Sequence, residues 1–564
     1  MALVRLRIWI AAAVIFCVFA AIYLATPTSN YTFDAVNYAH MIRLSEESGP
    51  ATLFHPHHLA FNGAGLVSLR ALRLFIPGID PLHALQVMNA LAGALGLSVL
   101  FLVLRRMLLD TAPEGSRGRY STAIAAVSAA VLGLTFGWWI ASTDGRPYIP
   151  PITPLLGAFY FAYRMAKTGS SWSAAGFGGM LGITVLLHQS HGLFLIVGIA
   201  AVMLAPTNLK ARFQLVGLVF LSLLLVAGIP YSLVIRLRDT QTVSEAVAWA
   251  LTYAKLGVWW DFDIISNLPK DYYALRHVFL AEVPENVGKF SFMLIAAADV
   301  IMIFSFLFVL LGLTDRILGY CQRQRHRRVH ERLLGGYKGG SVGELKERTD
   351  PMFIFNVLAV TWIISYAAFF TVWTPGFFPF WIPVAAALVM LVVVNSSSGS
   401  ARRLVLTVTI IAAVSLGIIN LWFYILPKIP KETNASILIA EKVKANTPTD
   451  SLVIVTGMGY MPQMEVYLPY FAERETISLH QVMIRHKSKG IDWLTQRIAQ
   501  HLLEGKKVYV FGEVFDSPRA WNELEARYGL NREHVRQAIS RFNPKKRFRV
   551  SDQPVYELRY PDEN

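Results

Sequence analysis

The sequence predicts an α-helical polytopic membrane protein, with about eleven transmembrane helices and a small C-terminal α/β soluble domain. Two observations carry the membrane part. Of the 564 residues, 54% are apolar and only 16% charged. The apolar residues also cluster in runs long enough to cross a hydrocarbon core of ~30 Å, which takes about 20 helical residues. The third observation is a change of pattern after residue 425, where short apolar runs alternate with amphipathic stretches. In lipid the backbone must bond internally, so continuous apolar runs form helices.

Taken in order, the predicted spans are 7–26, 83–104, 121–141, 150–166, 174–189, 190–206, 213–235, 290–313, 352–373, 377–394 and 404–424. The fourth to sixth are short and tightly spaced. Segment 60–77 is apolar but carries Arg70 and Arg73, so it reads as a helix lying at the interface. Basic residues set the orientation. Arg5 and Arg7 precede the first span and put the N-terminus in the cytoplasm. With eleven spans, Arg105 and Arg106, Arg164 and Lys167, Lys210 and Arg212, and Arg402 and Arg403 all fall inside. So does the stretch Thr314–Asp350, with Arg323, Arg325, Arg327 and Arg328. The C-terminal domain then lies outside. The net charge of +15 is explained by this cytoplasmic collar beside anionic headgroups, with no nucleic acid needed. Cys17 lies in the first span and Cys321 in the collar, so neither staples an outside domain.

Residues 1–425 thus form the membrane domain, with outside loops 27–81 and 236–289, and residues 426–564 the outside domain. In the tail, Ser451–Thr456 and Lys507–Phe511 read as buried strands. Ile491–Leu503 and Pro518–Tyr528 read as helices, which makes a partly parallel sheet. Gly457-Met-Gly459 lacks the third glycine of a dinucleotide fingerprint, so nucleotide binding is rejected in favour of a lid or docking role.

The first loop is chemically the richest segment: Tyr31-Thr-Phe-Asp34-Ala-Val-Asn37-Tyr38-Ala-His40, then Phe54-His55-Pro56-His57-His58. Asp34 can serve as a general base, or it can cap a helix starting at Ala35. The histidine cluster can suggest a divalent metal, but adjacent His57 and His58 rarely converge on one ion without help and no second ligand motif accompanies them, so a metal is not indicated. His188 and His191 lie a turn apart at a break between spans, where polar groups face a cavity or a partner helix. Trp259, Trp260, Trp373 and Trp381 read most simply as interfacial belts.

These elements resemble the GT-C membrane glycosyltransferases, and within them the protein-O-mannosyltransferase-like branch, whose first loop has an Asp followed by His-Pro-Pro-Gly-Tyr-Pro. The likeness continues through Met88-Asn89-Ala90-Leu91-Ala-Gly93 with Arg105-Arg106, and Phe136-Gly-Trp138-Trp139 leading to Tyr148. It goes on through Leu187-His188-Gln-Ser-His191-Gly to Tyr231 and Arg236-Leu-Arg238, and covers about the first 240 residues. His57, His58, Leu59 and Ala60 replace Pro-Gly-Tyr-Pro. The family's Glu before Tyr148 is absent, with Asp144 two residues away and Arg146 in the slot.

The resemblance implies transfer of a sugar from a polyprenyl phosphate carrier to a glycan, lipid or protein acceptor on the non-cytoplasmic face, in the bacterial inner (plasma) membrane and without a cofactor. Asp34, with Asp144 second, would be the catalytic carboxylate. Arg236 and Arg238 would hold the carrier phosphate, for which the guanidinium fork is suited, or would only anchor the chain at the surface. His55, His57, Arg146, Tyr148, His188 and His191 would line the substrate site. The rival classes are a transporter, against which no hydropathy repeat is found, and a scaffold that docks a partner through the tail.

Overall fold

The computed structural model describes residues 2–112, 120–238, 242–255, 257, 259–281, 299, 350–397, 402–459 and 463–560. The predicted span 290–313 and nearly all of the basic stretch after it lie outside the described residues. Along the chain the helices are α1 (Ala2–Ala25), α2 (Phe33–Ser48), α3 (Phe61–Arg73), α4 (Pro81–Asp110), α5 (Ser121–Gly133), α6 (Phe136–Thr143), α7 (Ile152–Thr168), α8 (Ser171–Leu187) and α9 (Leu195–Leu204). They continue as α10 (Leu209–Leu223), α11 (Ile229–Leu237), α12 (Val243–Ala250), α13 (Thr252–Lys255), α14 (Ile264–Phe279), α15 (Pro351–Phe370), α16 (Ile382–Ser396) and α17 (Arg402–Asn420), with further helices in the tail.

The chain forms two compact units. One comprises residues Met1–Pro27, Leu53–Ser68 and Gln86–Leu426; the other comprises Thr28–Thr52, Leu69–Leu85 and Pro427–Asn564. Two stretches of the first loop therefore belong to the same unit as the C-terminal residues.

The membrane unit is helical. Among the described residues six helices are long and apolar enough to cross a bilayer, or seven if the bent pair α5 and α6 counts as one span. The predicted count of eleven is not confirmed among the described residues, which leave out the predicted span 290–313. Helices α7 and α8 have only 17 residues each, about 25 Å at 1.5 Å per residue and short of the ~30 Å core. The predicted span 121–141 is broken, its halves meeting at 67°. Helices α10 and α11 run together through a π-turn at Leu224–Gly228 into one span of 29 residues. The core is aromatic, with Trp138, Phe159, Tyr163 and Trp362 fully buried. Close approach depends on small residues: a Cβ at Gly178 of α8 would lie 2.3 Å from the Val219 carbonyl oxygen of α10. At the end of α17, Asn420 donates to the carbonyls of Leu134 and Phe279, at 2.8 and 2.9 Å, and ties three segments together.

The second unit is built on a five-stranded sheet of β1 (Leu452–Val455), β2 (Glu475–Ser478), β3 (Val508–Phe511), β4 (Lys545–Val550) and β5 (Gln553–Leu558), in the order β2-β1-β3-β5-β4. β1 pairs parallel with both β2 and β3, whereas β5 runs antiparallel to β3 and β4. Every residue of β1 and β3 is buried, as befits strands covered on both faces. Glu557 is buried at the β5 end. Burial pushes its carboxyl up, but Lys507, Arg547 and Arg559 outweigh that and hold it at about 2. The early segment joins this unit by hydrogen bonds: Ser29 donates to the Ile429 carbonyl at 2.7 Å, Asn434 to the Ser29 carbonyl at 2.7 Å, and Tyr467 to the Tyr31 carbonyl at 2.7 Å.

Candidate functional site

The chemistry-bearing residues of the membrane unit converge around five histidines from two breaks in the helices. The first break is a single 3₁₀ turn, Pro56–His58, whose start is capped by His55: its Nδ1 accepts from the His57 N–H at 3.3 Å. Proline at the first helical position suits such a turn, since its missing N–H would be unpaired there. Tyr231 of α11 donates to the Pro56 carbonyl at 2.7 Å and fixes the turn from the other side. The second break is Gln189–Phe194, where His188 ends α8 and caps the next turn. His58 and His188 pack edge to face with centroids 4.4 Å apart, His55 stacks on His58 at 5.4 Å, and His191 lies 5.4 Å from His188.

Three of the rings are oriented by a neighbour. His58 Nδ1 lies 3.2 Å from the Leu187 carbonyl, His188 Nδ1 lies 2.8 Å from the Ser190 hydroxyl, and His191 Nδ1 lies 2.8 Å from the Tyr366 hydroxyl. Burial, with His57 adjacent, lowers His55 to about 3, and burial lowers His57 to about 4. Both rings are therefore neutral near pH 7 and act as hydrogen-bonding groups rather than cations. An aromatic wall completes the cluster. Tyr148 packs against His188, Phe377 and Phe380 at 5.4, 5.6 and 5.7 Å, and His57 lies 6.5 Å from Trp373. Aromatic faces beside neutral donors suit a sugar, which offers C–H faces to the rings and hydroxyls to the imidazoles.

The turn before Tyr148 holds Asp144 and Arg146 as a buried ion pair, with Nε 2.8 Å from Oδ2. Asp144 also accepts from the Gly145 N–H at 2.8 Å, and the Arg146 guanidinium lies over the Phe378 ring at 5.5 Å. A carboxylate closed onto a guanidinium in this way serves structure better than proton transfer. Sequence reasoning missed the residues that build this turn. Asn89 of α4 donates to the carbonyls of Asp144 and Arg146, both at 2.6 Å, and Gln86 donates to the Thr143 carbonyl at 2.7 Å. Polar residues one turn apart inside an apolar span were the available signal. Asp271 of α14 was missed too. Buried, it accepts from the Gly376 N–H at 3.2 Å and so anchors the loop that carries Phe377.

Arg236 and Arg238 stand exposed at the end of α11, and among the described residues neither makes an ion pair; Arg238 lies over the Trp249 ring at 5.2 Å. Asp34 belongs to the second unit, in the first turn of α2. The cap role weighed for it falls to Thr32, whose hydroxyl accepts from the Ala35 N–H at 3.4 Å. The helix begins at Phe33, two residues earlier than Asp34 capping would require. Among the described residues no group of three or more His, Cys, Asp or Glu side chains is placed to hold a metal ion.

The chain has the ArnT-like fold. The similarity is to two crystal structures of ArnT from Cupriavidus metallidurans, one bound to undecaprenyl phosphate and one in the apo state. Each has a TM-score of 0.57 at 12% sequence identity and covers 97% of both chains. No protein-family model and no curated protein matches the sequence.

Proposed function

We propose that this protein is a membrane glycosyltransferase that moves a sugar from a polyprenyl phosphate carrier to an acceptor on the non-cytoplasmic face. The bacterial inner membrane is its proposed location, with the N-terminus cytoplasmic and the C-terminal residues outside. The observation that carries the reading is the likeness along 97% of the chain to a fold whose representative binds undecaprenyl phosphate. The finer kinship, to the protein-O-mannosyltransferase-like branch, rests on the first-loop Asp and His-Pro pattern.

In the proposed mechanism the Asp34 carboxylate takes the proton of the acceptor hydroxyl as its oxygen attacks the anomeric carbon. The bond from that carbon to the phosphate oxygen breaks, and the carrier leaves as polyprenyl phosphate. Arg236 and Arg238 hold the phosphate while its charge grows. His55, His57, His188 and His191, with Tyr148, hold the sugar through neutral hydrogen bonds and an aromatic face. Asp144 keeps Arg146 in place, and Arg146 faces substrate from the turn. No cofactor is required.

The test is turnover by the full chain in nanodiscs with a panel of polyprenyl-phosphate sugars, following release of the free carrier. Release from at least one donor is expected, and its loss in Asp34→Asn. A panel that stays intact on the wild-type protein refutes the reading.

A further inference from the structure

We propose that the second unit carries a carbohydrate-binding site in a cavity between α2 and strand β2, separate from Asp34. The cavity has a volume of about 630 Å³, within the roughly 300–1,000 Å³ of small-ligand sites. One wall is a single face of α2, where His40, Arg43 and Glu47 recur at helical spacing. The other is the segment Glu473–Thr476 leading into β2, an edge strand of the sheet. At 3.6 residues per turn, Asp34 lies about 150° around the helix from the centre of that face and about 14 Å along the axis.

The polar groups on the walls are rigid and partly unspent. Arg474 is buried and uses all five donors on backbone carbonyls and Thr447, so it stiffens the wall without reaching a ligand. Glu473 is paired with Lys444, and Glu475 with Arg497 and His501. Glu473 also holds φ +58°, a conformation costly for a side chain with a Cβ and concentrated at binding sites. Three groups keep capacity for a ligand. His40 Nδ1 is buried with no hydrogen-bond partner among the described residues. Arg43 spends one N–H on the Tyr470 carbonyl at 2.7 Å while lying 4.0 Å over that ring, and Glu47 makes no hydrogen bond or ion pair among the described residues.

Two arginines against three glutamates give no excess of positive charge to select a phosphate or carboxylate. A neutral imidazole, a guanidinium and a carboxylate instead offer mixed donors and acceptors, which matches hydroxyl groups that both donate and accept. Burial, reinforced by Arg43, lowers the His40 pKa and keeps the ring neutral. Leu44 and Pro469 supply an apolar floor for the C–H face of a ring. The ligand class is a neutral oligosaccharide. Its identity as a distal part of the acceptor rests on the transferase reading, but its binding does not.

The test presents the full chain in nanodiscs to an array of lipid-free oligosaccharides and measures the best-retained glycan in solution. Retention of at least one glycan is expected, weakened about tenfold or more by Glu47→Gln and by His40→Phe. Undecaprenyl phosphate binding should be unchanged in both variants, which also shows that they are folded. Absence of glycan retention by the wild type, or equal retention by both variants, overturns the proposal. Retention without turnover of any polyprenyl-phosphate sugar would sink the transferase reading and leave this site standing.

Discussion

Asp34→Asn, set against Thr32→Ala, separates chemistry from architecture in one helix turn. Thr32 makes the cap, through a hydrogen bond of 3.4 Å that is near the long limit, so Thr32→Ala should cost about 0.5–1 kcal/mol of stability. Asp34 sits one residue inside the helix and contributes its charge to the N-terminal dipole; neutralising it costs about 0.3–1 kcal/mol. The two substitutions are thus matched in their effect on the fold. They differ in transfer rate. A lost acid–base group lowers the rate about 10²-fold or more, which is about 2.7 kcal/mol or more of barrier at 1.36 kcal/mol per decade. Thr32→Ala should keep its rate within about twofold, because no transition-state group is touched. The assay is carrier release from a saturating donor in nanodiscs, with thermal unfolding of each variant alongside. An Asp34→Asn protein that melts like Thr32→Ala yet transfers within about threefold of wild type would refute the assignment.

Replacing Arg236 or Arg238 by Ala should raise the KM for donor about tenfold or more with little change in kcat, and Lys should rescue only in part; unchanged donor saturation makes both residues surface anchors. Arg146→Met removes the guanidinium from the buried Asp144 carboxylate and should cost about 3–5 kcal/mol, read as lower thermal stability and yield. Asp144→Leu combined with Arg146→Met should recover much of that loss. In the second unit, burial pushes Glu513 up to about 7, against hydrogen bonds from Thr456. The folded state therefore holds this proton more tightly than the unfolded chain. The associated stability is full below about pH 4.5 and is lost as pH rises through 7, on the order of 3 kcal/mol. Hydrogen exchange of the β1 and β3 amides across that range should show the slope in wild type and lose it in Glu513→Gln.

What could be read from residues alone was what local pattern encodes. The runs Leu-Val-Ile-Val and Val-Tyr-Val-Phe became β1 and β3, and the predicted helix Pro518–Tyr528 has those bounds in the structure. β4 stayed hidden because Lys545-Lys-Arg-Phe-Arg-Val550 is an edge strand exposed along most of its length, with no apolar alternation to reveal it. The break between α5 and α6 was equally silent: Gly133-Leu-Thr-Phe-Gly137 keeps the span apolar while the backbone turns. The cap was misplaced by two residues because Thr32 and Asp34 are both good caps and spacing does not choose between them. Each histidine was visible as a residue. Their convergence was not, since His58 and His188 are 130 positions apart and meet only through the packing of α8 against the Pro56–His58 turn.

The second unit is assembled from the beginning and the end of the chain. Ser29, Tyr31 and α2 are synthesised early, yet their partners Ile429, Asn434 and Tyr467 emerge some 400 residues later. At about 5–20 residues per second, that interval is roughly 20–80 s. Until it closes, the helix that bears Asp34 lacks the helical segment Met464–Ala472 it packs against, and the unit has no local route to its native contacts. Synthesis of the segment from Pro427 onward thereby becomes the event that anchors α2 within its own unit. A ribosome that stalls within the membrane spans releases a product in which Ser29 and Tyr31, just ahead of α2, lack their partners Ile429, Asn434 and Tyr467.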